Sequence, residues 1–131
     1  MRIKAFKNNT NTLPEKLQGF AFNQDESGDI DITIGKLYDV YGTLDNESGR
    51  FYLVLTDDIN NDIPWWMPAQ LYQITDETIP TNWIKKEASE EGGEKSTIQK
   101  YHIYFDAEED IEDGTERGYQ VFAEMKAYED I

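Results

Sequence analysis

The segment from Ile30 to Ile84 carries its apolar residues in short stretches, each cut off by turn-forming residues before a helix of ordinary length can accumulate. "DIDITIG" sets Ile30, Ile32 and Ile34 against Asp31 and Thr33, the period of two that a half-buried strand requires, and Gly35 ends it. "KLYDVYGTL" follows, then "LDNESGR", in which Asp45, Asn46 and Gly49 suit the dihedrals of a hairpin connection. The unbroken run from Phe51 to Leu55 predicts a strand covered on both faces. "DDINND" turns the chain into a Trp-Trp segment, and "AQLYQITD" reads as a further strand with Leu71 and Tyr72 near its middle. Stretches of this length fold only by pairing with one another, so the expected class is mainly β.

On either side of this core the pattern changes. Residues 1–29 open with "MRIKAF", whose Ile3 allows a strand, and continue through "TLPEKLQGFAF", where Leu13, Leu17, Phe20 and Phe22 are placed to pack as a cover. Residues 85–96, "KKEASEEGGEKS", are hydrophilic and hold Gly92-Gly93, so they read as an exposed excursion. Over residues 97–131, "KYHIYF" reads as one more strand. The closing stretch lays Gly118, Val121, Phe122, Met125 and Tyr128 along one face of a helix that docks on the strands. A chain of 131 residues makes one domain and buries roughly two-thirds of its extended-chain surface.

Charge narrows the choice of partner. Lys and Arg number 12 against 27 Asp and Glu, a formal net charge of −15. Because apolar residues are plentiful between Ile30 and Ile84, this acidity belongs to the surface of a folded domain and not to a disordered tail. Such a surface repels phosphate backbones and anionic headgroups, and attracts cations over about a Debye length, roughly 8 Å at physiological salt. The expected partner is therefore a basic protein, with neither nucleic acid nor membrane as ligand. The amino terminus lacks the apolar stretch of a signal peptide, and no run approaches a membrane span, so the expected location is the cytoplasm.

Residue types exclude most chemistry. With no cysteine and one histidine, the chain has neither the ligands of a zinc site nor a thiol nucleophile. His102 lies within "KYHIYF" without a motif around it, and reads as a residue on one face of a strand. "DESGDIDI" places Asp25, Ser27, Asp29 and Asp31 at alternating positions, but a calcium loop counted from Asp25 needs glycine and glutamate where Ile30 and Lys36 stand. "FDAEEDIED" carries acids near a helix start, which the helix dipole already favours. No phosphate-binding glycine loop occurs. No catalytic residue, metal or cofactor is expected, and the protein is not expected to be an enzyme.

Three pieces in order, "KLYDVYG", "PWWMPAQL" and "TIPTNWI", resemble a Src-homology-3 (SH3-like) barrel, with its Tyr-Asp entry, its Trp-Trp pair and its Pro-x-Asn-aromatic turn. The match falls on Leu37, Tyr38 and Asp39, on Trp65 and Trp66, and on Pro80, Asn82 and Trp83. It implies a small antiparallel barrel over residues 30–84, with an N-terminal extension and a C-terminal helix. In that family the first tyrosine, the first tryptophan, the proline and the last aromatic line a groove for proline-rich peptides. Here Val40 takes the place of the second tyrosine, with Tyr41 one position late and so on the opposite face, and Pro64 and Pro68 point to an edge or a bulge. Nearly the whole chain is also similar to small uncharacterised bacterial proteins with such a barrel, some of them suspected toxin-immunity proteins. That match rests on Gly35, Lys36, Tyr38, Val40 and Tyr41, on Tyr52, Leu53, Asp57 and Asp58, on Trp66, Pro68 and Ala69, and on Tyr72, Ile74, Asp76 and Trp83.

Two functions follow as expectations. One is an acidic immunity or inhibitor protein that meets a basic toxin through Asp45, Glu47, Asp57 and Asp58. The other is a peptide-binding module built on Tyr38, Trp65, Pro80 and Trp83. Adjacent strand residues face opposite sides, so Trp65 and Trp66 cannot share one core, and one of them needs either an added cover or a partner.

Overall fold

The computed structural model describes residues 1–9, 30–47, 49–57, 64–79, 83–89 and 95–129. The described residues form a mainly β protein. A three-stranded antiparallel sheet contains β1 (Arg2–Ala5), β2 (Leu37–Asp39) and β6 (Tyr72–Asp76) in the order β2-β1-β6. A five-stranded antiparallel sheet contains β3 (Gly42–Asn46), β4 (Gly49–Val54), β5 (Trp65–Pro68), β7 (Trp83–Ser89) and β8 (Lys95–Tyr101) in the order β5-β4-β3-β8-β7. Three helices close the chain: α1 (His102–Asp106), α2 (Glu108–Asp113) and α3 (Glu116–Glu129). Among the described residues no ladder joins the two sheets into a closed barrel.

Two bends carry the chain between the sheets. Val40, fully buried, donates its N–H to the Met1 carbonyl at 3.1 Å and so prolongs the β1–β2 ladder. The next residue, Tyr41, donates to the Leu53 carbonyl at 2.8 Å and already belongs to the β3–β4 ladder. One extended stretch thus serves both sheets by bending between them. Strict alternation fails at that bend, which is why Tyr38, Val40 and Tyr41 are all buried and Tyr41 does not face outward. The return passes through a single 3₁₀ turn, Ala69–Leu71, whose last carbonyl accepts from Phe6 N–H at 3.0 Å.

The β3–β4 hairpin runs from Gly42 opposite Leu53 to Asn46 opposite Gly49, and Gly49 takes a φ of 127° that other residues resist. Phe51 to Val54 are buried in unbroken succession, as expected of a strand covered on both faces. Three other expectations are corrected. The Ile30–Ile34 stretch forms no strand: Ile30 and Ile32 are buried, but Lys36 N–H turns back to the Thr33 carbonyl and leaves Ile34 58% exposed at the tip. Residues 85–89 and 95–96 are not an excursion, because β7 and β8 pair from Trp83 opposite Tyr101 to Ser89 opposite Lys95. Backbone hydrogen bonds hold this polar hairpin, and a hydropathy pattern does not record them. Finally, the "KYHIYF" strand ends at Tyr101, and the backbone turns helical at His102. The expected cover at residues 13–22 and the Gly92-Gly93 pair lie outside the described residues.

In α3, Gly118, Phe122 and Met125 are buried and Val121 packs against the core, as the helical spacing predicts. Phe122 meets Tyr41 edge-on at 5.0 Å. Two residues connect α2 to α3: Gly114 ends α2 at φ 67°, and Thr115 caps α3 by accepting Gly118 N–H on its hydroxyl at 3.1 Å. A side chain at Gly118 would overlap the Asp110 carbonyl, so glycine permits the close approach of the two helices. Gly118→Ala gains about 1 kcal/mol in helix propensity and loses more to overpacking. The expected outcome is a net destabilisation of about 1–3 kcal/mol, read as a lower urea midpoint at unchanged m.

Candidate functional site

Tyr38 and Asp57 meet where β2 passes the end of β4. Tyr38 accepts a hydrogen bond on its hydroxyl from Thr33 N–H at 2.7 Å and donates to Asp57 Oδ2 at 2.9 Å. The same carboxylate accepts from Thr33 Oγ1 at 2.6 Å and from Lys36 Nζ at 2.5 Å. Partial burial pushes the Asp57 carboxyl up, but the hydrogen bonds from Lys36, Thr33 and Tyr38 outweigh it and hold it below the ordinary carboxylate value. Burial raises the Tyr38 phenol to about 12. The Tyr72 ring lies edge-on to Tyr38 at 6.2 Å and to Tyr52 at 6.1 Å, and burial pushes the Tyr52 and Tyr72 phenols up as well. The cluster locks the 33–36 turn to the core and pairs the Asp57 charge within the chain, with the side chain 24% exposed.

The other residues expected at a binding surface are distributed differently. Tyr38, Tyr41 and Trp83 lie in the core at 6%, 5% and 8% exposure, so they do not wall an open groove. Trp83 packs edge-on against Tyr101 at 5.8 Å. Trp65 and Trp66 are both half-buried and packed against the core, from positions opposite Val54 and Leu53. Asp45 is paired with Arg50 through Nε and Nη2 at 2.8 and 3.1 Å. Glu47 is exposed in the turn of the β3–β4 hairpin. Asp58 and Pro80 lie outside the described residues.

A second cluster, which the sequence did not reveal, centres on Lys100. This β8 side chain is 1% exposed, and its ammonium lies 4.1 Å from the centre of the Tyr104 ring, 4.6 Å from Phe105 and 6.0 Å from Trp66. Glu108 Oε1, from a side chain 42% exposed, closes the fourth side at 2.9 Å. Burial pushes the Lys100 pKa down while Glu108 opposes that shift. Glu112 is pushed up, first by partial burial and then by the negative charge of Glu108. Tyr104, Ala107 and Ile111 are buried at helical spacing, and Asp106, Glu109, Glu112 and Asp113 are exposed around them. The only legible signal was strand alternation: Lys100 shares its parity with Ser96, which is also buried.

The resulting outer layer is strongly acidic. Glu109, Glu112, Asp113, Glu116 and Glu124 are exposed and make no ion pair among the described residues. An open cleft of about 380 Å³ lies among Phe105, Glu108, Asp110 and Arg117, and Arg117 approaches Asp110 at 3.4 Å. Among the described residues no group of three or more side chains is arranged to hold a metal ion, and no helix is long and apolar enough to cross a membrane. Comparison with protein-family models, with curated proteins and with solved structures finds no match to this chain.

Two tests follow from these clusters. Removing Glu108 strands a buried cation; because Glu108 is itself 42% exposed, the cost of Glu108→Ala falls below the roughly 3–5 kcal/mol of a fully buried pair, at about 1–2 kcal/mol. Lys100→Met fits the same ring-lined space without charge and is expected to stay within about 1 kcal/mol of wild type. Asp57 is held below its ordinary pKa, so its contribution is complete above about pH 4 and is lost as pH falls through the depressed folded value. Unfolding followed against pH should therefore show a shallower acid limb in Asp57→Asn than in wild type.

Proposed function

We propose that this chain is a non-enzymatic binding protein that presents the acidic α2–α3 layer to a basic protein partner, as an inhibitor of a basic toxin would. One contrast carries this reading. In the sheet region Asp39 is paired with Arg2 at 3.0 Å, Asp45 with Arg50 and Asp57 with Lys36, and the exposed Asp31, Glu47, Asp76, Glu77 and Glu87 are spread over separate elements, whereas residues 102–129 concentrate nine acids against two cations. Five acids of the helical layer are left exposed without such partners among the described residues. Partial burial and then crowding with Glu108 raise the Glu112 pKa, and a partner's cations would relieve the second of these. Asp45 and Asp57, first expected at the contact, therefore give way to helical acids, while Glu47 stays exposed in its turn. A chain without cysteine is indifferent to a reducing compartment, which fits action in the cytoplasm. Burial of Tyr38 and Trp83 makes an aromatic peptide groove the less favoured alternative.

Titrating the isotope-labelled protein with an oligolysine peptide, and separately with a proline-rich peptide, tests the choice. Amide shifts are expected to move along α2 and α3 with oligolysine and to vanish toward about 1 M salt, where the Debye length is roughly 3 Å. Replacing Glu109, Asp113 and Glu116 together by their amides should remove most of that response. Shifts confined to β2 and β5, produced by the proline-rich peptide alone, would instead establish the groove.

A further inference from the structure

Phe105 and Glu108 stand in both the Lys100 cluster and the acidic cleft. The Phe105 ring centre lies 4.6 Å from the Lys100 ammonium, and Glu108 accepts from that ammonium on Oε1 at 2.9 Å. Both residues also line the open cleft, beside Glu109 and Asp110. Cage and cleft therefore share a wall, with a cation on its inner side. Lys100 is 1% exposed and reaches the wall from β8, whereas the Glu108 side chain is 42% exposed and opens onto the cleft. The second oxygen of Glu108 accepts from no side chain among the described residues.

The internal cation has no room to withdraw. A Cβ at Gly42 would meet the Lys100 Cβ at 2.9 Å and the Trp66 ring at 3.4 Å, so β3 lies tight against both. The ammonium has donors and no acceptor, and Glu108 is the one carboxylate bonded to it among the described residues. Burial pushes the Lys100 pKa down and Glu108 holds it up, so the two charges are coupled. A partner's cation that draws Glu108 outward strands the ammonium among rings, which costs stability. Glu109, Asp113, Glu116 and Glu124 carry no such penalty, being exposed and without an ion pair among the described residues.

We infer that Lys100 is an internal competitor for Glu108: from the sheet side it holds a carboxylate that a basic partner would otherwise use, and so restrains the affinity of the acidic layer. This rests on the acidic layer being the contact. The pair is an autoinhibitory contact built into the fold. It favours a partner whose cations are clustered, because such a partner meets the unpaired acids first and then competes for Glu108 from a position already bound.

A double-mutant cycle on the full chain, read by the affinity for oligolysine at low salt, is the test. Lys100→Met is expected to bind about fivefold or more tighter than wild type. Glu108→Gln keeps an acceptor for the buried ammonium; it should weaken binding in both backgrounds, and by about fivefold more in Lys100→Met. Lys126→Met removes the same charge from an exposed position on α3 and shows the effect of net charge alone, so Glu108→Gln should cost no more in that background than in wild type. Equal losses on Glu108→Gln with and without Lys100 would overturn the inference, and the acidic contact would stand as long as the α2–α3 amides respond. Amides that respond in none of these proteins would overturn both. If Lys100→Met loses its circular-dichroism signal, the side-chain ammonium resonance of Lys100 in the wild-type protein decides alone. It should shift in step with the α2–α3 amides, and an unmoved resonance at saturation would overturn the inference.

Discussion

The ammonium of Lys100 sits where water does not reach, and three ring faces and one carboxylate stand in for its hydration shell. Each contributor comes from a different part of the chain: Trp66 from β5, Tyr104 and Phe105 from α1, and Glu108 from α2. A buried cation is tolerated only while all of them stay in place, so Lys100 fixes the docking of α1 and α2 on the large sheet. That docking positions α3 in turn, because Gly118 lets it close on Asp110 and Thr115 caps its first turn. The placement of the acidic layer therefore follows from the packing of Tyr104, Ala107 and Ile111 around the Lys100 site and of α3 against it.

A comparable lock holds the other end of the sheets together. Asp57 gathers Thr33, Lys36 and Tyr38 around a single carboxylate, tying the turn ahead of β2 to the end of β4. Val40 and Tyr41 carry the chain from one sheet to the other between these fixed points. The aromatic residues that looked like groove walls, Tyr38 and Trp83, are occupied in making this interior. What remains for recognition is the surface, most densely charged over the acidic helical layer.

Residue order alone determined the mainly β class, the β3–β4 hairpin with its Gly49, the doubly covered β4 and the inward face of α3. Each is a local rule, set by side-chain period or by the dihedrals of a turn, and it reads the same in the chain as in the fold. Tertiary structure decided the rest. Whether Ile34 continued a strand depended on Lys36 turning back to Thr33; whether residues 85–89 were loop or strand depended on β8 lying alongside. Asp45 and Asp57 looked like contact acids until Arg50 and Lys36 claimed them, the latter across 21 residues of sequence. Lys100 gave almost no sign, because a lysine in a sequence reads as surface, and only the convergence of distant rings and one carboxylate makes a dry site where its charge can stay.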